Sequence, residues 1–428
     1  ATTLWGSGPT STNFTVDNAS FSNESGATYI AYLFAHNNND GGFGEPGDQD
    51  IIKCGNYTTD SNEDATIDLG FEPQFVMFKR ADSSTGGDWN VYDTMRGMQG
   101  DFLSQASLLE WNTTDSEDST TNRIAITPTG FKVDNYGASR TYIYMAIRRG
   151  GMQTPTTPSD VFAINTTGTN DSPNNNFTVG FDVDLSLNTQ TNGNQRYLMT
   201  RLLGNGSLKA NADSAFSTHS SSSFFDGPSG TLDLNTNFWS TSSNVISWSW
   251  KRARGYFDVV AYTGNDTNRT ISHNLGVAPE MMWVKDRGRT QNWAVYHANN
   301  TSEPATDRLR LNETGATVDD NTYWNDTQPT SSVFSVGTDG DVNTSGENYI
   351  AYLFATVAGV SKVGSYTANG SAQNIDCGFT NGTKWVMIKR SSGTGNWFLI
   401  DTTRGLVAGN DTLLELNTTS NQDSGYDD

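Results

Sequence analysis

Apolar and polar residues alternate over short stretches along the whole chain, and turn-forming residues separate these stretches. In the heptapeptide YIAYLFA at 29–35, successive side chains point to opposite sides of an extended backbone, and both sides are largely apolar. This pattern predicts a central strand covered on both faces, or a sandwich strand beside a neighbouring module. Helical periodicity is short everywhere, and residues 97–110 are predicted to hold one short helix.

The same strand is repeated along the chain. YIAYLFA recurs unchanged at 349–355, and related strands read YIYMAIR at 142–148 and VISWSWKR at 245–252. Other blocks recur in a fixed order between these strands, including PQFVMFKR (73–80), PEMMWVKDR (279–287) and TKWVMIKR (383–390). The period of roughly 105 residues is the size of one β-sandwich, not of a solenoid rung.

The repeat predicts an all-β chain of four tandem β-sandwich modules with a jelly-roll-like arrangement. One module is split between the two ends, because 1–36 carry only closing strands and 357–428 only opening strands. The predicted division is 1–36 (C-terminal half of the split module), 37–50 (linker or insertion), 51–150, 151–254 (divergent), 255–356, and 357–428 (N-terminal half).

Each half of the split module should leave unpaired strand edges and an apolar face. Three interpretations follow. The two ends could meet and close a ring, they could be completed by neighbouring chains in a head-to-tail homopolymer, or they could be cuts in a longer repeat. The homopolymer is favoured, with Tyr29, Ile30, Tyr32, Phe34, Trp385 and Trp397 as the residues of the assembly strands.

Composition narrows the partners. A net charge of -21 argues against nucleic acid, because phosphate binding needs clustered Lys and Arg. No apolar run approaches the roughly 20 residues of a membrane span, so no membrane insertion is expected. Cys54 and Cys377 are too few for a disulfide framework and are expected to be buried thiols, with one bridge between them as the alternative. The opening residues ATTLWGSG contain no initiator Met and no basic leader, which predicts a processed chain or a piece of a longer one.

The blocks YTGND, ISHNLGVAPEMMWVKDR and GNWFLIDTTRG, in this order, resemble a repeat domain in uncharacterised structural or tail proteins of marine and freshwater tailed phages. The resemblance covers nearly the whole chain and is weakest over 151–250. It implies a virion tail or fibre component, and it brings no catalytic residues with it.

Sequons of the form N-x-Ser/Thr are the most frequent local motif and predict covalent N-glycans at turns. Chance in so Ser/Thr-rich a chain is the alternative, but some sequons recur at one place in the repeat. The candidate acceptors are Asn13, Asn18, Asn23, Asn56, Asn112, Asn165, Asn176, Asn205, Asn265, Asn312, Asn325, Asn343, Asn369, Asn381, Asn410 and Asn417.

Candidates for other chemistry are sparse. Asp339, Asp341, Asn343 and Glu347 alternate as in a Ca²⁺ loop, although an ordinary turn is the favoured interpretation. The acids of 36–50 could also hold calcium, but Gly/Asn-rich text is typical of a linker. The histidines His36, His219, His273 and His297 lack metal-ligand spacing, and no nucleophile motif is present. The recurring Trp89, Trp293 and Trp397 favour a core role over a sugar-stacking face.

The sequence therefore predicts a non-enzymatic structural subunit of an extracellular or virion-associated filament. It assembles head to tail by completion of the split module and carries N-glycans. The alternatives are a phage tail-fibre adhesin that binds cell-surface carbohydrate and, less favoured, a polysaccharide-degrading tail enzyme.

Overall fold

The chain is all-β, as its alternating pattern predicts. A computed structural model describes residues 5–7, 10, 12–17, 19–34, 36, 50–83, 87–102, 106–118, 123–166, 176–219, 231–233, 245–406 and 411–426. Antiparallel strands dominate, and three long stretches each contain a large sheet and a small sheet packed against it. We call these stretches module I (51–150), module II (151–254) and module III (255–356).

In the N-terminal segment (residues 1–36), the described residues contain little regular structure. Two short strands, β1 (Trp5–Ser7) and β2 (Thr15–Val16), pair with each other, and a single-turn helix, α1 (Ser20–Asn23), follows.

Module I begins with the strand at one edge of its large sheet and ends with the strand that pairs with it. The large sheet has the order β3-β10-β5-β6-β7 and the small sheet the order β4-β9-β8. The strands are β3 (Ile52–Thr58), β4 (Ala65–Asp68), β5 (Pro73–Arg80), β6 (Asn90–Asp93), β7 (Leu109–Glu110), β8 (Ile124–Thr127), β9 (Gly130–Val133) and β10 (Thr141–Arg148), with a 3-10 helix at Thr94–Arg96.

Module II repeats this plan. Its large sheet has the order β11-β18-β13-β14-β15-β16, and β12 pairs with β17 in the small sheet. The strands are β11 (Phe162–Thr166), β12 (Asn176–Thr178), β13 (Leu185–Gln190), β14 (Tyr197–Thr200), β15 (Gly206–Lys209), β16 (Ser217–Thr218), β17 (Thr231–Asp233) and β18 (Val245–Trp250), with 3-10 helices at Pro158–Asp160 and Arg201–Leu203.

Module III follows the same plan and is described without a gap. Its large sheet has the order β19-β26-β21-β22-β23-β24, and β20 pairs with β25. The elements are β19 (Phe257–Thr263), β20 (Arg269–Ser272), β21 (Met281–Asp286), β22 (Ala294–His297), β23 (Asp307–Arg310), β24 (Val318–Asp319), α2 (Asn321–Trp324), β25 (Val333–Val336) and β26 (Asn348–Phe354), with a 3-10 helix at Pro304–Thr306.

The C-terminal segment (residues 357–428) has a smaller sheet of order β27-β28-β29-β30. Its strands are β27 (Trp385–Lys389), β28 (Trp397–Asp401), β29 (Asp411–Glu415) and β30 (Asp423–Tyr426). The described residues 362–384, which precede β27, form no strand.

Apolar side chains form two kinds of core, and the alternation of the strands assigns each side chain to one of them. The sandwich core of module III lies between its two sheets and includes Tyr262, Phe334 and Leu353. A second, larger core joins the modules, because it combines Trp248 of module II and Tyr352 of module III with residues such as Trp397 of the C-terminal segment. We call this second cluster the shared core.

The short helix predicted over 97–110 is absent from its described residues, 97–102 and 106–110, and residues 103–105 lie outside the described part of the chain. Gly97 has a φ of 94° and ends the preceding 3-10 helix, and Leu109–Glu110 form a strand. Gly100 packs so closely on module III that an added Cβ would lie 2.2 Å from the Cβ of Ala261. Tertiary contacts therefore override the local preference at this position. Among the described residues, no helix has the length and hydrophobicity needed to cross a membrane.

Candidate assembly site

The two identical heptapeptides occupy opposite environments. In module III, Tyr349–Phe354 form most of the central strand β26, which lies between β19 and β21. Ile350 and Tyr352 are 0% exposed there. In the N-terminal segment the same letters form no strand, and Ile30 and Tyr32 are each 83% exposed. One sequence is therefore a buried strand in one place and an unpaired apolar segment in the other.

The loop that leads into the exposed copy already has the geometry of the buried copy. In module III the Tyr349 hydroxyl donates to the Gly340 carbonyl at 2.9 Å and accepts from the Thr344 N–H at 2.8 Å. In the N-terminal segment the Tyr29 hydroxyl donates to Ser20 at 2.7 Å and accepts from the Glu24 N–H at 2.8 Å. The offset is the same 320 positions that relates the two heptapeptides.

The C-terminal segment lacks the strands that would cover β27 on its open side. β27 aligns with β5 and β21, and both of those strands have a neighbour on each side. Among the described residues, β27 pairs only with β28. Residues 364–376, which align with the first strands of module III, are exposed throughout, and they include Tyr366 and Ile375.

The register of the missing pairing is fixed by the complete modules. Met281 pairs with Phe354 and Asp286 with Tyr349, and module I has the same pairing between Phe75 and Ile147. Transferred through the alignment, this register places Phe34 opposite Trp385 and Tyr29 opposite Arg390. The same alignment places Tyr366 opposite Tyr29, where the complete modules stack Tyr57 on Tyr142 and Tyr262 on Tyr349 at 5.2 Å in each case.

Modules II and III and the C-terminal segment close around one another through three equivalent contacts. The Trp293 indole N–H donates to the Lys209 carbonyl at 2.8 Å, and the Trp397 indole N–H to the Arg310 carbonyl at 3.0 Å. At the corresponding position of module II stands Arg196, which donates to the Glu415 carbonyl at 3.1 Å. The three carbonyls occupy equivalent positions in their repeats, so the three units form a closed ring.

Sequence analysis did not identify Arg196, because the equivalent position in the other repeats holds a tryptophan. The signal that identifies it is the asparagine fifteen positions later in the chain. Asn211 accepts the Arg196 N–H at 2.8 Å, as Asn312 accepts that of Trp293 at 2.9 Å. Arg196 is fully buried, and its guanidinium also donates to the Ser420 carbonyl at 2.7 Å.

Module I lies outside this ring. Its Trp111 takes the position of Ala210, Leu311 and Leu416, which are each 0% exposed in the shared core, whereas Trp111 is 60% exposed. Module I instead contacts modules II and III through buried ion pairs. Arg252 binds Glu72 of module I with two hydrogen bonds of 2.7 and 2.8 Å and also pairs with Asp258.

A shallow cleft beside these ion pairs is lined by Arg148, Arg149, Arg252 and Arg254. Its positive charge is largely compensated. Arg149 pairs with Asp184 at 2.9 Å, and although burial opposes ionisation, Arg149, Arg252 and Arg201 together lower the pKa of the Asp184 carboxyl. The cluster therefore holds three modules together.

The recurring sequon asparagines have a structural role. Asn112, Asn312 and Asn417 accept the backbone N–H of Trp89, Trp293 and Trp397 at 2.7, 2.9 and 2.8 Å. Their amide groups also donate to Asp88, Asn292 and Asn396, respectively. Their recurrence therefore follows from the fold, and it no longer supports glycosylation as sequence reasoning assumed.

The other sequons lie in several environments. Asn343 is fully buried and donates to the Thr267 and Gly337 carbonyls, and Asn165 and Asn325 are half-buried. The side chains of Asn18, Asn176 and Asn410 lie outside the described residues. Exposed acceptors are Asn13, Asn23, Asn56, Asn205, Asn265, Asn369 and Asn381.

The candidate calcium residues make protein contacts. Asp341 accepts from the Tyr323 hydroxyl at 2.5 Å and pairs with Arg310 at 3.2 Å, while Glu347 lies 3.6 Å from Arg289. Asp339 accepts the Asp341 N–H at 2.8 Å, as in an ordinary turn. Within the described residues, no group of three or more His, Cys, Asp or Glu side chains is arranged to hold a metal ion. Of the acids in 36–50, only Asp50 falls within the described residues.

The remaining candidates are also placed. Cys54 and Cys377 are free thiols, half-buried rather than buried as expected, and burial raises the pKa of Cys54. Trp293 and Trp397 are buried, as the core interpretation predicts, so their rings offer no face to a sugar, whereas Trp89 is only half-buried. Burial lowers the pKa of His219, His273 and His297, and His36 accepts the Cys54 N–H at 3.0 Å.

Comparison with known proteins gives a family without a described activity. A family model described as a domain of unknown function, DUF7483, matches residues 1–149 and 157–427. No curated protein matches the chain. Since the two matches together span nearly the whole sequence, the chain belongs to the DUF7483 family.

Proposed function

We propose that the protein is a structural subunit that polymerises head to tail. The N-terminal segment of one copy supplies residues 29–34 as a strand, and this strand pairs with the open edge of β27 in the next copy. The observation that carries the proposal is the pair of identical heptapeptides, one buried between two strands and one exposed. The exposed copy has the same sequence as the central strand of module III, and the loop before it makes the same hydrogen bonds. In module III that strand pairs with β21, which is the equivalent of β27.

Physical chemistry favours completion. An exposed edge strand and a row of exposed aromatic and aliphatic side chains are both unfavourable in water, and pairing removes both at once. Donor and acceptor are different segments of the chain, so a contact between copies is heterologous, and its repetition without closure builds a filament. A preformed loop reduces the entropy lost when the strand docks.

The proposal includes an extracellular or virion location and N-glycans. The exposed sequons support the second part, because Asn369 and Asn381 stand at turns with open surroundings. We exclude Asn343 and Asn417 as acceptors in the folded chain because their amides are buried and hydrogen-bonded.

Electron microscopy and sedimentation velocity test the polymer. Wild-type protein is expected to form fibres as its concentration rises, and Tyr32→Asp to remain a monomer. The matched control is Val277→Asp, which adds the same charge at an exposed apolar residue of module III. Wild-type protein that stays monomeric at high concentration, or a control that fails to assemble as well, contradicts the proposal.

Hydrogen exchange separates polymerisation from closure within one chain. In a polymer, the amides of 29–34 become protected only as fibres form. If the N-terminal segment instead docks on its own C-terminal segment, the same amides are protected in a monomer at any dilution.

A further inference from the structure

The two faces of the central strands have different partners. In module III, Tyr349, Ala351 and Leu353 point into the module's own sandwich core. Ile350 and Tyr352 point into the shared core. A strand of the same sequence in the same register should divide its side chains in the same way. For residues 29–34, this places Ile30 and Tyr32 on the face that meets a neighbouring module.

The shared-core face carries one polar contact at each complete ring interface. The Thr200 hydroxyl of module II lies 2.8 Å from the Tyr352 hydroxyl of module III. The Trp248 indole N–H of module II donates to Asp401 of the C-terminal segment at 3.3 Å. Trp248 and Tyr352 hold the same position in their central strands, because they pair with Leu187 and Trp283 in equivalent registers.

Thr200 and Asp401 are also equivalent. Each pairs with the first residue of the preceding strand, Leu185 in one case and Trp385 in the other. In module III the residue in this position is His297, which pairs with Met281. These contacts join the central strand of module III to module II, and the central strand of module II to the C-terminal segment. The third contact of the ring would join the central strand of the split module to His297 of module III.

That third interface is partly formed already. Besides the Trp397 contact, the Gly395 N–H donates to the Thr314 carbonyl of module III at 2.9 Å. The C-terminal segment is therefore seated against module III. It lacks the central strand that would present a residue to His297, and by alignment that residue is Tyr32.

We propose that the strand donated by a second copy of this chain binds two units of the receiving copy, with its Tyr32 ring against His297 of module III while its backbone pairs with β27. This inference rests on the proposed head-to-tail assembly. The donated strand then completes the ring of three as well as the split module. The donated strand can contact both units only if module III stays packed against the C-terminal segment of the receiving copy.

A second group of aromatic rings supports the same placement. Trp385, which the register sets opposite Phe34, contacts Trp250 of module II with ring centroids 5.6 Å apart. Phe34 lies on the same face of the strand as Tyr32, so it would extend this cluster within the shared core.

Photo-crosslinking tests the inference on the full chain. p-Benzoylphenylalanine is placed at Tyr32 in unlabelled protein, which is mixed with ¹⁵N-labelled wild-type protein, assembled, irradiated and digested. Tyr32 is exposed in the single chain, so the probe should not disturb its folding. We expect crosslinks from the probe to a labelled peptide of module III that contains His297. The matched control carries the probe at Leu33, on the opposite face, and its crosslinks should fall on labelled residues of the C-terminal segment.

The outcomes separate the two proposals. If the Tyr32 probe reaches only the C-terminal segment of the labelled chain, head-to-tail completion stands and the contact with module III is wrong. If neither probe reaches a labelled chain in assembled material, both proposals fail. Crosslinks from Leu33 to module III with none from Tyr32 would reverse the two faces and overturn the inference.

Discussion

Module III and the two terminal segments show what one sequence does with and without its neighbours. Tyr349–Phe354 form a strand with no exposed surface at Tyr349–Leu353, while the identical residues 29–34 form none. The local hydrogen bonds of the preceding loops are the same in both places. The difference therefore lies in the long-range partners. This heptapeptide forms a strand only where neighbouring strands pair with it, and the local sequence determines only the loop that precedes it.

The largest expected effect comes from one substitution made in both copies. Tyr352→Ser should lower the free energy of unfolding by about 3–5 kcal/mol, because it empties a buried aromatic site in the shared core. Tyr32→Ser should change it by less than about 0.5 kcal/mol in unassembled protein. Chemical denaturation at low protein concentration measures both. Equal losses would mean that residues 29–34 are already buried in the single chain.

A synthetic peptide covering residues 24–36 should act as a detached strand. It is expected to stabilise the monomer by about 2.7 kcal/mol at a concentration of 100 times its dissociation constant, because it binds only the folded acceptor. It should also shorten or prevent fibres. Thermal melting with increasing peptide measures the first effect. A peptide with Ile30 and Tyr32 replaced by Ser is the control, and stabilisation by that control would contradict recognition through the shared-core face.

The lysines at equivalent positions of the two regions should respond differently to pH. Burial lowers the pKa of Lys285 to about 8, while the ammonium donates to the Asp286 carbonyl at 2.7 Å. Between pH 8 and the ordinary lysine value, the unfolded chain binds the proton that the folded chain has lost, so stability should rise with pH. The gain between pH 8 and 9.5 should be up to about 2 kcal/mol.

Lys285→Met should abolish this rise, and denaturation at pH 7.5 and 9.5 measures it. The equivalent Lys389 is only half-buried, so Lys389→Met should leave the rise almost unchanged in unassembled protein. A rise that persists in Lys285→Met would assign it to another group.

The smallest expected effect concerns a hydrogen bond of the C-terminal segment that has an equivalent in module III. Asn417→Ala leaves the buried Trp397 N–H without its 2.8 Å partner and should cost about 1–2 kcal/mol. Asn381→Ala, at an exposed sequon of the same segment, should cost less than about 0.5 kcal/mol. Intact mass and peptide mapping of protein from its native source should show sugar at exposed sequons such as Asn381 and none at Asn417. Sugar on Asn417 would contradict the structural role.

The sequence predicted the β class well because its evidence is local and repeated. Alternation over short stretches and turn residues between them specify strands, and four similar blocks specify a repeat. Because the blocks align without gaps around the central strands, the register of β27 with 29–34 can also be obtained from the sequence alignment of the repeats. These inferences need no knowledge of how the units pack against one another.

The ring contacts could not be predicted in this way. They join carbonyls to side chains that lie about one or two repeats apart, as Arg196 and Glu415 do, and backbone carbonyls leave no trace in the sequence. The predicted helix is absent from the described residues of 97–110 for a related reason, because Gly100 lies against Ala261 of a different module. The role of the recurring asparagines was hidden because a sequon and a backbone cap use the same letter.

The guanidinium of Arg196 also makes the three units of the ring chemically different at their equivalent contacts. Two positions present an indole with one N–H to give, and the third presents a cation that reaches Glu415 and Ser420 together. An indole moved to that third position would leave one of these carbonyls unsatisfied, and an arginine moved elsewhere would be buried without its acceptors. The units are thus not interchangeable, and a gene in which two of them were shuffled should give a chain that folds poorly although every strand in it is intact.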